Sequence, residues 1–202
     1  MSVPMKKTAL GGKALLFARN FFRHPRMLGS LIPSSPFLIK RVLRRIDWGT
    51  ARVIVEYGAG VGTFTSEILR RMRPDGILVA FETNDEFVQY LRETLRDPRL
   101  HIVHGSADQV GTVLERLGHG PADYVISGIP FSTIPEDARE AILRATREAL
   151  RPRGALIVYQ FTRRILPSLE RVFGRVARDF EPRNILPAQL FYCTTAAADR
   201  AA

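Results

Sequence analysis

Five short apolar runs recur along the chain from residue 52, and stretches with helical periodicity separate them. The runs are RVIVEY (52–57), ILVAFE (77–82), LHIVH (100–104), ADYVIS (122–127) and GALIVYQF (154–161). Runs of this kind are typical of strands buried on both faces of a parallel sheet. The helical stretches are 62–72, 84–96, 107–117 and 135–150. Strand and helix in alternation predict an α/β fold with a doubly wound sheet, to which the run 190–195 adds a last strand.

Composition sets the class of protein and the partners it favours. With 46% hydrophobic and 25% charged residues, the 202-residue chain is typical of one soluble globular domain, with or without an appendage. Its single cysteine, Cys193, excludes an internal disulfide, and no apolar run reaches the length of a spanning helix. We expect no signal peptide. The net charge of +10 is concentrated at the two ends, around a mildly acidic middle. This asymmetry favours an anionic partner for the ends, although solvated helix faces also explain it.

A glycine-rich turn follows the first predicted strand. The sequence EYGAGVG places Glu56 and Tyr57 ahead of Gly58, Gly60 and Gly62, just before a predicted helix. Glycines at alternate positions let the backbone turn sharply and approach a ligand closely. A dinucleotide fingerprint requires glycine at the position of Thr63. The pattern instead resembles that of class I S-adenosylmethionine (AdoMet) methyltransferases, which implies a Rossmann-like fold that binds AdoMet through this turn.

Acidic residues follow the next two strands. Glu82, with Thr83 after it, lies 20 residues beyond Gly62, where a carboxylate can accept the ribose hydroxyls of a nucleoside. Asp108, preceded by Ala107, follows the third strand and is predicted to accept a hydrogen bond from the adenine amino group. Simple helix capping by these acids is the alternative. We therefore predict AdoMet as the cofactor and no metal.

The loop after the fourth strand faces the methyl acceptor in this topology. It reads SGIPFS, and it resembles the N-[LI]-P-[YF] signature of amino methyltransferases such as the rRNA adenine dimethylases. Gly128 stands where that signature has asparagine, so the amide that grips an adenine is missing. A catalytic loop is predicted from Ser127, Gly128, Ile129, Pro130 and Phe131, with Ser127 also near the cofactor. Its carbonyls and aromatic wall suit an amine, whereas a plain turn is the structural alternative.

Nearly the whole chain resembles bacterial phospholipid N-methyltransferases of the class similar to rRNA adenine methylases. The resemblance rests on FFRHPRMLGSLIPSS (21–35), VEYGAGVGTFT (55–65), SGIPFS (127–132) and VYQFT (158–162). It implies methylation of phosphatidylethanolamine, through mono- and dimethyl forms, to phosphatidylcholine. It also implies a cytoplasmic enzyme, peripherally associated with the inner face of the cytoplasmic membrane, with no nucleic acid partner. We expect no room after the fifth strand for the RNA-binding domain of the dimethylases.

The first 50 residues are predicted to form basic amphipathic helices ahead of a methyltransferase domain at 51–202. A helix with aromatic residues on one face and basic residues on the other suits an anionic membrane surface, or packs as a core helix. The predicted membrane contacts are Lys13, Phe17, Arg19, Phe21, Phe22 and Arg23. A second helix begins at Pro36 with Ser35 as its N-cap. Its basic face holds Lys40, Arg41, Arg44 and Arg45.

Phe131 of the acceptor loop is also a predicted substrate contact, and five further predicted contacts lie outside that loop. They are Ser34, Ser35, Tyr159, Arg163 and Tyr192. The serines are candidates for the AdoMet carboxylate or the lipid phosphate, and Arg163 is a candidate for the lipid phosphate. The tyrosines are candidates for the walls of an amine pocket, with capping and surface roles as alternatives. Two other functions remain open from the residues, namely an RNA adenine N-methyltransferase and a non-catalytic AdoMet-binding membrane module.

Overall fold

Strands and helices alternate through residues 34–195, the part of the chain that the computed structural model describes. The helices are α1 (Pro36–Leu43), α2 (Thr63–Arg71), α3 (Asp85–Thr94), α4 (Val110–Arg116), α5 (Glu136–Ala149) and α6 (Leu166–Phe173). The strands are β1 (Val53–Tyr57), β2 (Ile77–Glu82), β3 (Leu100–His104), β4 (Ala122–Ser127), β5 (Leu150–Gln160), β6 (Val176–Glu181) and β7 (Ala188–Thr194). Short 3₁₀ turns occupy Ala107–Gln109 and Phe131–Thr133.

The strands form one mixed sheet in the order β3-β2-β1-β4-β5-β7-β6. The first five run parallel, and β7 is antiparallel to both β5 and β6. The strand order reverses between β1 and β4, which makes their carboxyl ends the expected ligand crevice. The predicted doubly wound α/β fold is therefore confirmed.

Helices cover both faces of the sheet and bury two apolar layers. On one face, α1 and α2 bury Leu38, Val42 and Ile68 against the sheet. On the other face, α4, α5 and α6 pack over the strands, with Leu143 and Leu169 fully buried. Because α1 contributes to the first layer, it belongs to the same packed unit as the sheet. Ser35 caps α1 as predicted, since its hydroxyl oxygen accepts the N–H of Leu38 at 3.2 Å.

The β6 edge of the sheet differs from the sequence-based prediction. No strand was predicted for β6, whose alternation of charged and apolar residues is typical of a half-exposed edge rather than a buried strand. The basic face of α1 is not merely solvated, because Arg41 forms ion pairs with Asp179 and Glu181 of this strand at 2.9 and 2.7 Å. Arg44 also pairs with Asp179, at 2.9 Å.

The predicted amphipathic helix and its six membrane contacts, in residues 13–26, lie outside the described residues. Within residues 34–195, none of the helices has the length and apolar character needed to cross a bilayer.

Candidate active site

A cavity of about 300 Å³ opens at the carboxyl ends of β1, β2, β3 and β4. Its size falls at the lower end of the range usual for small-molecule sites. Many predicted cofactor or acceptor residues line it: Tyr57, Gly58, Gly60, Glu82, Thr83, Ala107, Gly128, Ile129 and Pro130. The structure therefore brings together residues from four separate loops at the topological switch point, where ligands of this fold bind.

The glycine turn forms one wall of the cavity. Gly60 has φ +54°, and a Cβ placed on it would meet no atom within 4 Å, so its backbone faces open space. Gly58 lies against the acceptor loop, where a Cβ would stand 3.0 Å from Cγ2 of Ile129. Gly62 is absent from the wall and serves packing instead, because a Cβ there would lie 2.8 Å from Leu91 of α3 and from Leu95 just after it. The turn thus presents backbone without side chains to a ligand. Its last glycine has no side chain either, and this lets α3 pack closely against the turn.

Glu82 is fixed at the rim by backbone donors. Its Oε2 accepts the N–H of Gly60 at 2.8 Å, and its Oε1 accepts those of Thr83 and Asn84 at 2.8 and 2.9 Å. The residue is 8% exposed, so the carboxylate is held in one orientation with little contact with bulk water. Oε2 retains acceptor capacity beyond its bond to Gly60, because a carboxylate offers about two acceptor sites on each oxygen. A preorganised acceptor beside open backbone fits the ribose of AdoMet.

Glu56 and Tyr57 point to opposite faces of the sheet, as neighbours in a strand must. The hydroxyl of Tyr57 bonds with that of Thr146 at 3.0 Å on the α5 side. Glu56 accepts the Thr65 hydroxyl at 2.7 Å and is not among the residues that line the cavity. Burial raises the pKa of the Glu56 carboxyl to about 7, the charge of Glu82 adds to this, and the Thr65 hydrogen bond opposes it. Glu56 is thus a buried titratable group behind the glycine turn.

Two other predicted cofactor residues stand outside the cavity wall. Ala107 lines the wall, but Asp108 is exposed on the 3₁₀ turn and borders a neighbouring cavity of about 400 Å³. Ser127 is fully buried, and its hydroxyl has no hydrogen-bond partner among the described residues. A contact of Asp108 with adenine stays a prediction.

The acceptor loop is held by a side chain from β5. The amide of Gln160 donates to the carbonyl of Ile129 at 2.7 Å, and the N–H of Phe131 donates to the same oxygen at 2.9 Å. The carbonyl of Pro130 accepts both the N–H and the hydroxyl of Thr133 at 2.9 Å. Both carbonyls already accept two hydrogen bonds within the protein, and their orientation of an amine stays a prediction. Among the turn and loop hydrogen bonds of residues 34–195, none reaches the carbonyl of Gly128, and a role for this carbonyl toward an amine stays a prediction.

Phe131 does not form the predicted aromatic wall. Its ring is 0% exposed and belongs to the buried cluster that includes Leu143 and Val158. The chain enters a 3₁₀ turn directly after Pro130, and this turn takes the ring into the core. Ile129, Pro130, Thr133 and Ile134 line the cavity in its place.

An aromatic side chain does reach the acceptor loop, from β5. Tyr159 lies directly against Gly128, so that a Cβ on Gly128 would stand 2.6 Å from Cζ of Tyr159 and still closer to its hydroxyl. The Tyr159 ring stacks on Phe64 at 4.9 Å, and its hydroxyl forms a hydrogen bond with Ser34. Burial raises the pKa of Tyr159, and the charge of Glu56 contributes to the increase. The tyrosine hydroxyl therefore occupies the space into which the asparagine of the related signature would project.

Tyr192 is not part of this group. The register of β7 pairs it with Ile157, away from the carboxyl end of β5, and its ring is 7% exposed beneath the guanidinium of Arg45. Its predicted role as a pocket wall is therefore wrong. Arg163 is exposed just beyond β5, where its Nε donates to Gln189 at 3.0 Å. Ser34 lies on the acceptor side of the site, where its side chain forms a hydrogen bond with Tyr159. Ser35 instead caps α1.

Comparison with known proteins agrees with this geometry. A family model described as a methyltransferase domain matches residues 54–154, which is half of the chain. The ornithine lipid N-methyltransferase of Singulisphaera acidiphila is 34% identical over 186 residues, 88% of this chain and 94% of that protein. The chain belongs to the methyltransferase-domain family. AdoMet is accordingly the cofactor of this methyltransferase, and the glycine turn and Glu82 fit it.

Two further likenesses are more distant. A ubiquinone/menaquinone biosynthesis C-methyltransferase of Pasteurella multocida is 29% identical over 156 residues. The aligned residues make up 75% of this chain and 55% of that relative. An O-methyltransferase from Bacillus cereus, solved in complex with SAH, superposes with a TM-score of 0.69 at 14% identity. That match covers 96% of this chain and 93% of the solved one. It shows the shared fold.

Several residues of the methyltransferase site were missed by sequence reasoning. They are Phe81, Phe87, Gly105, Ser106, Thr133, Ile134 and Ile142 on the cavity wall, and Gln160 behind the acceptor loop. The apolar members match no motif, because their only requirement is shape. Gln160 did carry a signal, since a polar residue ending an apolar run at the ligand edge of a sheet is unusual.

Proposed function

We propose that this methyltransferase acts on the amine of a membrane lipid head group, and that phosphatidylethanolamine is its substrate, converted through mono- and dimethyl forms to phosphatidylcholine. The observation that carries the proposal is the 34% identity to an ornithine lipid N-methyltransferase across 94% of that protein. The identity extends well beyond the cofactor-binding half of the chain, so it includes the acceptor side of the site. The resemblance of the acceptor loop to amino methyltransferases supports nitrogen as the methylated atom.

The acceptor side supports an amine through its polar groups. The Tyr159 hydroxyl lies against Gly128 at the ends of β4 and β5, and the Gly128 carbonyl belongs to the same part of the loop. An ammonium or amine can donate to both, whereas a nucleobase has no amide here to read its edge. AdoMet supplies a methyl group on a sulfonium, and the protein's part is chiefly to position the amine for in-line attack.

The acceptor nitrogen must lose a proton before it can attack. Glu56 lies close enough to Tyr159 for its charge to raise the pKa of the tyrosine, and burial brings its own pKa to about 7. We assign Tyr159, which lies against Gly128, the role of holding the amine, and Glu56, which does not line the cavity, acts on this tyrosine through its charge.

Membrane association is the second half of the proposal. The basic amphipathic segment at residues 13–26 is proposed to dock the enzyme on the anionic inner face of the cytoplasmic membrane. Replacement of Phe21 and Phe22 by Asp should abolish flotation with anionic vesicles. Undiminished flotation would remove the segment from the proposal.

A specific observation also favours a second lipid. The relative that shares 34% identity is named for ornithine lipid, which offers an amine at the same kind of lipid surface. Both substrates need the same carbonyl and hydroxyl acceptors, and they differ in the presence of a phosphate. Arg163, exposed beyond β5, is the candidate that would favour the phospholipid.

The test offers purified protein and labelled AdoMet separately to phosphatidylethanolamine vesicles, ornithine lipid vesicles and deproteinised ribosomal RNA. Label in mono-, di- and trimethylated phospholipid is the expected result. Label only in ornithine lipid keeps lipid N-methylation and replaces the substrate. Label only in RNA contradicts the proposal and favours an adenine methyltransferase, and binding of AdoMet without any transfer favours a non-catalytic module. Glu82→Ala protein serves as the control for transfer that does not require the cofactor site.

A further inference from the structure

An exposed apolar surface lies at the turn between β6 and β7 and the start of α1. Phe37, Ile185 and Leu186 are 46, 70 and 40% exposed, although each is a large hydrophobic side chain. We refer to these three residues as the apolar tip. Contiguous exposed apolar residues are unusual on a soluble surface and often mark an interaction site.

The apolar tip is held in a fixed arrangement. The buried Asn184 accepts the N–H of Ser35 at 2.8 Å and donates to the carbonyl of Leu186 at 2.9 Å. The guanidinium of Arg183 lies 4.2 Å from the centre of the Phe37 ring. Two prolines, Pro182 and Pro187, flank the turn and restrict its backbone. Side chains that remain exposed on such an anchored turn are presented outward, with little freedom to fold back onto the protein.

Topology places the apolar tip on the edge of the molecule that carries the active site. β7 runs antiparallel to β5, and Gln189 near its start pairs with Gln160 at the end of β5. The β6–β7 turn therefore lies beside the carboxyl ends of the parallel strands. Ser34 and Ser35, which lead into α1, contact Tyr159 and Asn184 at this same edge.

The charge around the apolar tip indicates which kind of surface it binds. Arg163, Arg164 and Arg183 are exposed on the loops at this edge. Hydrophobic side chains rimmed by arginines suit the interface of an anionic bilayer, where the apolar groups enter the acyl boundary and the cations meet phosphates. Each arginine near such a surface contributes to reversible binding that weakens with salt.

We propose that the apolar tip inserts into the surface of an anionic lipid bilayer and brings the acceptor end of the active site against the head groups. This contact is separate from the amphipathic segment at residues 13–26, and it rests on the proposed lipid substrate for its purpose. The cavity wall at Gly128 then faces the membrane, so a head-group amine reaches it without leaving the lipid surface.

A fluorescent label at the turn tests insertion directly. Ile185→Cys protein, labelled with an environment-sensitive fluorophore, is mixed with vesicles of equal parts phosphatidylglycerol and phosphatidylcholine. Cys193 does not compete for label, because it is buried and burial raises the pKa of its thiol to about 12. A blue shift and brighter emission on addition of vesicles are expected. Unchanged emission overturns the proposal, and so does emission already blue-shifted without vesicles, which would show that another part of the chain covers the apolar tip.

A paired substitution measures what the contact contributes to binding. Ile185→Asp with Leu186→Asp should weaken vesicle affinity at least about tenfold, since two apolar side chains no longer insert and two like charges face the lipid. The matched control, Pro74→Asp with Gly120→Asp, adds the same charge at exposed positions on the opposite edge and should bind as the parent does. Equal loss in both variants would contradict the proposal. AdoMet affinity, measured for each, verifies the fold.

The two proposals fail in different ways. Insertion of the label without methyl transfer to any lipid would overturn the proposed function and leave the docking surface standing. Methylation of lipid by a protein whose label never responds to vesicles would retain the function and remove the docking surface.

Discussion

The Oε2 atom of Glu82 accepts a hydrogen bond from the backbone N–H of Gly60 at 2.8 Å, and it thereby joins the end of β2 to the glycine turn after β1. The same carboxylate also accepts two N–H groups from its own loop. One side chain therefore sets the shape of the cofactor wall before AdoMet arrives. Preorganisation of this kind increases affinity because less ordering remains to be done on binding.

Glu82→Ala should weaken AdoMet binding roughly ten- to hundredfold, as the variant loses both the ribose acceptor and the anchor of Gly60. Isothermal titration calorimetry gives the dissociation constant. Asp85→Ala is the matched control, since this neighbouring acid is exposed and its removal should leave affinity unchanged. Equal affinities for parent and Glu82→Ala protein would show the assignment to be wrong.

Gly128→Ala should abolish most methyl transfer and lower stability by about 1–3 kcal/mol, because the new methyl group would overlap the Tyr159 ring. Combining it with Tyr159→Ala should restore part of the stability but not the activity. Thermal unfolding and labelled-methyl transfer measure the two effects. Gly111→Ala is the control, because a Cβ there meets nothing within 4 Å, and it should be neutral or slightly stabilising. Additive stability changes in the double variant would contradict contact between the two residues.

The sequence was sufficient for the parts of the molecule that local pattern determines. β1 to β5 follow continuous apolar runs, and the Ser35 cap and the glycine turn depend on residues close together in the chain. Glu82 was found because the spacing from strand to strand is regular in a parallel sheet. These features require no knowledge of how distant segments pack.

The parts that were missed depend on contacts between segments far apart in the chain. The sequence indicates at Gly128 the loss of an amide, but only the fold shows that Tyr159, 31 residues later, fills the space. The residue types of Phe131 and Tyr192 predict pocket walls, yet the burial of the two rings is set by a turn and by strand register. The sequence does not predict β6, because an edge strand lacks the continuous apolar run of a buried strand.

The pH dependence of stability should reflect Glu56. Its carboxyl has a pKa of about 7 in the folded protein, above its ordinary value of 4.5, so the folded state holds a proton that the unfolded state has released between these values. The free energy of unfolding should therefore fall as pH rises from about 4.5 to about 7, by roughly 3 kcal/mol, and change little from this group above that.

Glu56→Gln should remove this part of the pH dependence, since the amide does not titrate. Urea unfolding of both proteins at about pH 5 and about pH 8, without AdoMet, measures the difference. The variant should gain stability relative to the parent at the higher pH. Parallel pH profiles for parent and variant would show that Glu56 does not titrate in this range.

Arg41 should contribute more to stability than its neighbour Arg44, although both are arginines on α1 that pair with β6. Arg41 contacts Glu181, whose side chain is 1% exposed, while Arg44 is 53% exposed and, among residues 34–195, pairs with Asp179 alone. Arg41→Ala leaves a buried carboxylate with weaker compensation from Arg183, and we expect a loss of about 2–4 kcal/mol. Arg44→Ala should cost less than about 1 kcal/mol, as exposed pairs do. Urea unfolding distinguishes the two, and equal losses would mean that α1 is held to the edge strand by general charge attraction rather than by the buried pair.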